Sequence, residues 1–505
     1  MHRVLEDLGI DYLLVNSTNE YLVEYSSLNE NARYTLTGFS GSTGDALLTK
    51  DNIYLFVDGR YHIQAEKEAK EGVTVVKLKL GQTQDNEIRK LIDPEKTLGI
   101  VAKKVSQKRL EGFKGYEVKL LEQDPINNFT EPHSEPKDRT DCKPREFMPE
   151  KHTLITNLEE VTYLTGYRDF SKDYSSKIWA KLVVKGNDIF MFTDNIAYEN
   201  YLRQFDGELI VDKSSVSAWD YSLIKNPTHK PSEVKLLKAV KTDEEIKAYQ
   251  KAFKKTDKAV KAIREYIELN DNLSEFDIAE RLKKEFLRYG AKSLSFKSIV
   301  AIDQNSALAH YSKNSKDVIL REGGLVLIDC GAYYESGLAT DITRVFVKGK
   351  PSELQKEVYT KVLKAFLNAF KLSSNKPRYK GAKTVEHNLT GYDVDKLAHR
   401  ILDKSVESFT FSHGLGHGIG INVHEAPPAL NQTEAAHTDI QDNMTFTIEP
   451  GLYNPEHFGV RLENSCYKKD GKIYSFVKMG YEGKLIDYSL LTPQEQKWLN
   501  EFEVL

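Results

Sequence analysis

Short apolar stretches alternate with an amphipathic stretch along the first 125 residues. The segments IDYLLVNS, GDALLT and NIYLFVDG are short apolar runs typical of strands, and RYHIQAEKEAKEG has the pattern of a helix. Strands and helices that alternate along a chain indicate an α/β architecture. The pattern therefore predicts a first α/β domain over residues 1–125.

The next part of the chain predicts a second, smaller α/β domain over residues 126–232. Its first part, residues 126–150, is rich in proline and polar residues and has little periodicity, which is typical of a linker. Two apolar runs, IWAKLVVKG and DIFMFTDN, predict strands. The proline-containing stretch KNPTHKPSEV, residues 225–234, marks a break before the third domain.

Residues 233–505 are predicted to form the third and largest domain. Apolar residues recur at helical spacing among many Lys and Glu over 232–269, which predicts one long packing helix with a solvated face. A second amphipathic helix, SEFDIAERLKKEFLRYG, ends at Gly290. The rest, from 293 to about 482, is rich in predicted strands, and its Lys- and Ser-containing stretch 371–393 is predicted to be an exposed loop.

Composition and charge exclude several classes of protein. The chain has 505 residues, of which 40% are hydrophobic and 29% charged, as in ordinary globular proteins. A net charge of −4 gives no general reason to expect nucleic acid or an anionic membrane as a partner. No apolar run approaches the roughly 18 residues of a membrane helix, and the N-terminus has no signal-peptide core. Three scattered cysteines, Cys142, Cys330 and Cys466, are too few for a disulfide framework, so we expect a cytoplasmic protein.

Five potential metal ligands in the third domain lie at strand ends or in glycine-rich turns. A carboxylate at the end of a buried strand is unfavourable unless it is paired or coordinates a cation. The first two are separated by the turn-rich GAYYESG, which predicts a hairpin that places them on adjacent strands. The last lies two residues after Arg461, so both side chains are predicted on one face of a strand. The five are Asp329 in LVLID, Asp341 in DITRVFV, His417 in HGLGHGIGINVH, Glu449 in TFTIE and Glu463 in GVRLEN.

Together these residues predict a site for two divalent cations. Four carboxylates supply four negative charges, and a set of oxygen and imidazole ligands without sulfur favours Mn²⁺, with Zn²⁺ or Co²⁺ as alternatives. Two cations about 3.5–4 Å apart can hold a bridging hydroxide and polarise a carbonyl. Three further histidines, His310, His413 and His424, are candidate proton donors and oxyanion stabilisers. Taken singly, each residue also has an ordinary structural interpretation, and their joint occurrence favours the metal site.

Several motifs occur together between about 300 and 465. They are LAHY, LIDCG followed by DITR, HGLGHGIGINVHE, TIEPGLY and GVRLEN. With them the chain resembles the metallopeptidases of the pita-bread fold, specifically the aminopeptidase P (Xaa-Pro aminopeptidase) family. LTGFSGSTGDALLT and FVDGRYHIQAEKE resemble the N-terminal domain of the long, three-domain form, and GKLIDYSLLTPQEQKWLNEF resembles its C-terminal extension. The resemblance implies two small α/β domains followed by a catalytic domain of curved antiparallel sheet covered by helices.

The resemblance also implies roles for individual residues. Glu449 would be a proton shuttle as well as a metal ligand. Arg461 would contact the metal ligands and hold them in place without binding metal itself. Arg60, in VDGRY, matches an arginine of the N-terminal domain that reaches toward the active site, although it can also be a surface cation at a helix start. The implied metal ligands are Asp329, Asp341, His417, Glu449 and Glu463, and the implied substrate-orienting and proton-donating histidines are His310, His413 and His424.

The implied reaction is hydrolysis of the N-terminal Xaa-Pro bond of peptides by a metal-bridging hydroxide. We therefore expect peptides with proline at position two as substrates, no nucleic acid or membrane partner, and a homodimer. One alternative is prolidase, which cleaves only Xaa-Pro dipeptides. Another is a non-catalytic binding protein of the same fold, but such a protein would have lost metal ligands.

Overall fold

The computed structural model describes residues 2–79, 81–129, 138–372, 378–380, 383–385, 388–403, 406 and 408–505. The chain divides into two compact units. Among the described residues, no helix has the length and apolar character needed to cross a bilayer. The first unit comprises Met1–Asp138, Pro144–Asp169 and Lys177–Val234, and the second comprises Arg139–Lys143, Phe170–Ser176 and Lys235–Leu505.

The first unit begins with a six-stranded mixed sheet in the order β4-β3-β2-β1-β5-β6. The first three strands pair antiparallel, and the other pairings are parallel. This alternation of strands and helices agrees with the predicted α/β pattern. The strands are β1 (Tyr12–Val15), β2 (Asp45–Leu48), β3 (Ile53–Val57), β4 (Val73–Lys77), β5 (Leu98–Val101) and β6 (Val118–Leu121), and the helices are α1 (His2–Leu8), α2 (Ala32–Thr37), α3 (His62–Glu68), α4 (Gln84–Arg89) and α5 (Gln107–Glu111).

A five-stranded sheet in the order β11-β10-β8-β12-β13 forms the rest of this unit. Its last strand, β13, lies within the stretch 225–234 that we predicted as a break between domains. The strand was missed because it has only three residues and begins with a proline, which lacks the N–H group of a regular strand residue. The elements are β7 (Asp138–Arg139), β8 (Thr153–Ile155), β9 (Tyr167–Arg168), β10 (Lys181–Lys185), β11 (Asp188–Phe192), β12 (Leu209–Val211), β13 (Pro227–His229), α6 (Leu158–Thr165), α7 (Asn195–Gln204) and α8 (Ala218–Leu223).

The second unit begins with two helices where one was predicted. The expected continuous helix over 232–269 is wrong, because the chain leaves the helical conformation between α9 and α10. Thr242 has extended backbone and forms a capping box with Glu245, while the Lys241 N–H donates to the Asn443 carbonyl at 2.9 Å. The helices are α9 (Val234–Ala239), α10 (Asp243–Leu269), α11 (Glu275–Arg288), α12 (Glu353–Phe370), α13 (Gly391–Leu402) and α14 (Pro493–Leu499).

Every strand pairing of the second unit is antiparallel among the described residues. The two larger sheets have the orders β15-β16-β18 and β23-β26-β27. Within the loop predicted over 371–393, β19 and β20 pair antiparallel and the last three residues belong to α13, so the loop prediction is wrong there. Residues 373–377, 381–382 and 386–387 lie outside the described residues. The strands are β14 (Ser293–Leu294), β15 (Ile299–Ile302), β16 (Leu325–Cys330), β17 (Ala332–Tyr333), β18 (Ile342–Val347), β19 (Arg378–Lys380), β20 (Lys383–Val385), β21 (Gly416–His417), β22 (Ala429–Leu430), β23 (Thr445–Ile448), β24 (Gly451–Tyr453), β25 (Gly459–Arg461), β26 (Asn464–Lys469) and β27 (Lys472–Ser475).

The main hydrophobic core of this unit lies between α12 and the strands. Buried side chains of α12 share one cluster with Leu325 and Leu327 of β16 and with side chains of β18 and β23. Alternate residues of a strand point to the same face, so Asp329 lies on the core-facing side of β16, beyond Leu327. The packed core therefore fixes the strand end that carries this carboxylate.

Candidate metal centre

Four of the five predicted ligands converge in the second unit. Ligand atoms of Asp341, His417 and Glu463 all lie within 4.8 Å of one another. Nε2 of His417 is 3.6 Å from Asp341 Oδ2 and 3.6 Å from Glu449 Oε1. These residues come from four separate places along the chain, and the folding of the antiparallel sheets brings them together.

The fifth predicted ligand, Asp329, joins this cluster through Arg461. Nη2 of Arg461 donates to Asp329 Oδ2 at 2.6 Å, and its Nε is 3.8 Å from Glu449 Oε2. Thr343 lies opposite Asp329 on β18, and its hydroxyl donates to Glu463 Oε2 at 2.8 Å. Arg461 Nε also donates to this hydroxyl at 3.2 Å. Arg461 and Glu463 thus reach the same neighbour, but Glu463 lies between β25 and β26, so the prediction that both lie on one face of a strand is wrong.

Glycines allow the chain to pass close to its neighbours around His417. A Cβ atom on Gly416 would lie 2.1 Å from the Thr447 carbonyl oxygen, and one on Gly418 would lie 2.2 Å from the Glu425 carbonyl oxygen. Any larger residue at either position would displace backbone. The glycine-rich sequence therefore places the His417 imidazole beside the carboxylates.

Burial and mutual repulsion make ionisation of the clustered carboxylates unfavourable. Burial raises the pKa of Asp341 well above its usual range, and repulsion from Glu463, Asp329 and Glu449 raises it further. Burial and the charge of Asp329 raise the pKa of Glu463 to about 8, although Arg461 acts in the opposite direction. Both effects reflect negative charges held close together away from water.

Unsatisfied oxygen atoms show how this set of residues fits a metal. Buried oxygens of Asp329, Asp341 and Glu463 have no hydrogen-bond partner among the described residues. Buried polar atoms in proteins are normally paired, and carboxylate oxygens with an imidazole are suitable ligands for divalent cations such as Mn²⁺. The residues present therefore fit a divalent metal centre.

A hydrogen-bonded chain connects His413 to the ligands. Its Nδ1 is 2.8 Å from the Gly414 carbonyl oxygen, which can only accept, so Nδ1 carries the proton. Nε2 forms a hydrogen bond with the Tyr453 hydroxyl at 2.7 Å, and Arg461 Nη1 donates to the same hydroxyl oxygen at 2.9 Å. Burial raises the pKa of Tyr453 to about 12, which keeps the hydroxyl protonated. Hydrogen bonds therefore link His413 to Asp329 through Tyr453 and Arg461.

The other two predicted histidines occupy different surroundings. The His424 ring centre is 4.4 Å from that of His417, in an edge-to-face contact, so His424 lies beside the candidate metal ligands. His310 is half-buried and follows the 3₁₀ helix Asp303–Ala307. That helix begins directly after β15, in which Ile299 pairs with Asp329. The functional roles of all three histidines stay predictions.

A buried cluster of charges fixes the segment that carries His424. Nζ atoms of Lys238 and Lys241 lie 3.3 and 3.2 Å from Glu425 Oε1, and the Asn422 N–H donates to Oε2 at 3.2 Å. Burial alone would raise the pKa of Glu425, but attraction to the two lysines lowers it to about 2. Both lysines and Glu425 are buried. Two cations therefore hold the carboxylate next to His424 at one of its oxygens, and the Asn422 N–H holds the other.

The sequence patterns did not single out Tyr453, Glu425 or the two buried lysines. Tyr453 and Glu425 belong to motifs that we quoted, TIEPGLY and HGLGHGIGINVHE, but neither has a local signal that distinguishes it from a packing residue. The lysines lie in the predicted amphipathic helix, where lysine normally indicates a solvated face.

Arg60 lies in the first unit, and its described contacts are with Thr43, Asp58 and Tyr61 of that unit. Its Nε and Nη2 donate to the two oxygens of Asp58 at 2.9 and 2.7 Å, and the guanidinium lies 5.4 Å from the centre of the Tyr61 ring. Its predicted role near the active site stays a prediction.

The fold and the site by themselves define a class of protein. Antiparallel sheets and helices position a sulfur-free cluster of four carboxylates and one histidine, which is suited to metal-assisted hydrolysis. Residues 247–469 match the model of metallopeptidase family M24, and residues 1–125 match the creatinase/prolidase N-terminal domain. Residues 247–469 therefore carry a catalytic domain of metallopeptidase family M24, which has the pita-bread fold.

Relatives extend along almost the whole chain. A probable Xaa-Pro aminopeptidase P from Coprinopsis cinerea is 28% identical over 99% of this chain and 93% of its own length. Xaa-Pro aminopeptidase 1 from Dictyostelium discoideum is 26% identical over 99% and 91%. An X-prolyl aminopeptidase from Caenorhabditis elegans, described as a cytosolic enzyme with a di-nuclear active site, superposes with a TM-score of 0.85 at 21% identity over 97% of this chain and 90% of that chain. This last likeness shows that the fold is shared.

Proposed function

We propose that the protein is a metal-dependent aminopeptidase that hydrolyses the N-terminal Xaa-Pro bond of peptides. The observation that supports this most is the convergence of Asp341, His417 and Glu463, with His417 also close to Glu449 and Arg461 bonded to Asp329. Relatives that match 99% of the chain have names that specify Xaa-Pro aminopeptidases. A non-catalytic role is disfavoured because all five candidate ligands are present.

The proposed ligands for two divalent ions are the four carboxylates and His417. We propose Mn²⁺ as the metal, with Zn²⁺ or Co²⁺ as alternatives, because hard oxygen ligands predominate. Bound ions would supply Lewis acidity that activates water and polarises the scissile carbonyl. The uncompensated oxygens of Asp329, Asp341 and Glu463 support this assignment.

Glu449 is the proposed proton shuttle. Its carboxylate lies between His417 Nε2 at 3.6 Å and Arg461 Nε at 3.8 Å, and its side chain is 18% exposed. A carboxylate that reaches both the cluster and solvent can take a proton from the attacking water and pass it on. The proton is needed because the proline nitrogen of the scissile bond has no hydrogen and must gain one to leave.

The histidines are proposed to act around the substrate. His424 lies against the His417 ring, so it can donate a hydrogen bond to the oxyanion that develops on the scissile carbonyl. His310 is proposed to orient the peptide. His413 is proposed to orient the substrate and donate a proton, with its ring held by Gly414 and Tyr453.

We further propose a cytoplasmic homodimer with the three predicted domains, 1–125, 126–232 and 233–505. None of the three cysteines forms a disulfide, which agrees with a reducing compartment. The dimer rests on the resemblance to the long form of the family. Peptides are the proposed partners, with no role for nucleic acid or a membrane.

Metal removal and restoration test the proposed function. Purified protein stripped with a chelator, with its metal content verified by elemental analysis, should no longer release Arg from Arg-Pro-Pro, and added Mn²⁺ should restore release. Asp341→Ala should fail to regain metal and activity, whereas the matched control Asp317→Ala, which changes an exposed aspartate of the same unit, should behave like wild type. Full activity in metal-free protein would contradict the proposal. Activity on Arg-Pro but not on Arg-Pro-Pro would identify a prolidase instead.

A further inference from the structure

We propose that Glu275 is a positioning residue that fixes the segment carrying His310, an inference that rests on the function proposed above. Glu275 is the first residue of α11 and is completely buried. No motif singled it out, and it lies 35 positions before His310 in the sequence. Its importance comes from the hydrogen bonds that its carboxylate accepts.

Four donors reach the two carboxylate oxygens of Glu275. Oε1 accepts from the Ile302 N–H at 2.8 Å and from Asn305 Nδ2 at 2.9 Å. Oε2 accepts from the Tyr311 hydroxyl at 2.5 Å and from the Ser315 N–H at 2.8 Å. All four donors belong to residues 302–315, so one buried side chain holds both ends of this segment.

The held segment contains His310 and connects directly to the candidate metal centre. Tyr311 follows His310, and Asn305 Nδ2 also donates to the Tyr311 hydroxyl oxygen at 3.1 Å. The segment begins at the end of β15, the strand that pairs with the Asp329 strand. Within it, the Ser306 hydroxyl accepts from the Gly459 N–H of β25 at 2.8 Å. Glu275 therefore sets where His310 lies relative to Asp329 and Arg461.

Only an ionised carboxylate can satisfy all four donors. It offers two oxygens with about four lone-pair sites and no hydrogen. A glutamine of nearly the same shape has one accepting oxygen, and its NH₂ group would face two of the donors. Glu275→Gln should therefore disturb the segment without removing bulk from the core.

The same helix offers a matched control. Glu285 is also a buried glutamate of α11, but its carboxylate pairs with Arg281 and Arg288 of its own helix at 2.7 and 3.4 Å. Glu285→Gln changes the same chemical group on the same helix and leaves the bonds to residues 302–315 intact. Tyr311→Phe removes one of the four donors while keeping the aromatic ring.

The experiment compares kcat and KM on Arg-Pro-Pro for Mn²⁺-loaded wild type and variants, with metal content and melting temperature measured in parallel. Glu275→Gln should lower kcat/KM roughly 10- to 100-fold with an unchanged metal content, since small displacements of positioning groups have effects of this size. Tyr311→Phe should lower it by a smaller factor, and Glu285→Gln should stay within about 2-fold of wild type. In a His310→Ala background, adding Glu275→Gln should change kcat/KM by less than about 2-fold, because the residue that it positions is already absent.

If Glu275→Gln folds, either of two results would overturn the inference. One is a folded Glu275→Gln protein with wild-type kcat/KM and a lowered melting temperature, which would show a purely structural role. The other is a Glu275→Gln effect that is equally large with and without His310. If Glu275→Gln fails to fold, wild-type kcat/KM in Tyr311→Phe overturns it. Wild-type protein that leaves Arg-Pro-Pro uncut would refute the proposed function itself, which separates the two failures.

Discussion

Replacing Glu425 by glutamine should strongly lower the free energy of unfolding of the second unit. Glu425 is buried next to His424 and shares one oxygen with the ammonium groups of Lys238 and Lys241, which are buried as well. Glutamine keeps the size of the side chain and removes its charge. The two buried ammonium groups would then lose this carboxylate, although they would stay away from water.

The structure gives the size of this effect. Burial raises the pKa of Glu425, but the two lysines and the Asn422 N–H outweigh it, so that the net effect lowers the pKa from 4.5 to about 2. At about 1.4 kcal/mol for each pKa unit, this corresponds to roughly 3 kcal/mol of favourable interaction with the ionised form. Removing one partner of a buried ion pair typically costs about 3–5 kcal/mol. The value from the lowered pKa therefore agrees with the loss expected for a broken buried ion pair.

Urea unfolding followed by circular dichroism at pH 7 measures the loss. Glu285→Gln is the control, because the side chains of its partners Arg281 and Arg288 are 41% and 67% exposed and can be solvated by water. We expect a loss of about 1 kcal/mol or less for the control. A Glu425→Gln protein as stable as wild type at pH 7 would refute the account of this charge cluster.

The pH dependence provides a second check with a definite sign. A carboxyl whose pKa is lower in the folded protein contributes stability above its unfolded pKa and loses it as pH falls toward the folded value. For Glu425 the window runs from about 4.5 down to about 2. The difference in stability between wild type and Glu425→Gln should therefore be constant above pH 6 and shrink below pH 4.5. A difference that does not change down to pH 3 would contradict the assigned pKa.

Three further predictions concern the site and the assembly. Tyr453→Phe removes the hydroxyl between His413 and Arg461, so kcat should fall roughly 10- to 100-fold while elemental analysis finds both metals retained, since Arg461 still bonds Asp329. His424→Ala should also keep both metals but lower kcat by about 10²–10⁴-fold, and metal loss would show that His424 is a ligand. Analytical ultracentrifugation at micromolar concentration should give about twice the chain mass of 57.6 kDa, and a mass near that of one chain would exclude the proposed dimer.

The parts of the structure that sequence predicted well have local signals. Asp329 ends an apolar strand, and the glycines around His417 indicate that backbone segments approach each other closely there. Each residue can therefore be recognised from the ten or so residues around it. The sequence also indicated that these residues converge, because several residues of the types that ligate metals occur together in the third predicted domain. The alternation of strands and helices over residues 1–125 can likewise be recognised from short segments of the sequence.

The features that sequence missed depend on contacts between distant residues. The chain leaves the helix between α9 and α10 where Lys241 bonds to Asn443, about 200 positions away, and no periodicity reports that contact. The lysine pattern indicated a solvated face, yet Lys238 and Lys241 are buried because Glu425 lies opposite them. Glu275 shows the same limitation, since its four donors all lie at least 27 residues away.

Selectivity for proline at position two is the most direct test of the proposed activity. Proline fixes its φ angle near −65° and has no N–H group, so a site shaped for its ring needs no acceptor there. An ordinary residue would leave its own N–H unpaired, which costs about 1–3 kcal/mol, or roughly 5- to 150-fold in kcat/KM. The measurement is the ratio of kcat/KM for Arg-Pro-Pro to that for Arg-Ala-Pro with the Mn²⁺-loaded protein, with acetyl-Arg-Pro-Pro as the control for the free amine. We predict a ratio of at least about 5 and no cleavage of the acetylated peptide, whereas comparable rates on all three peptides would contradict the account.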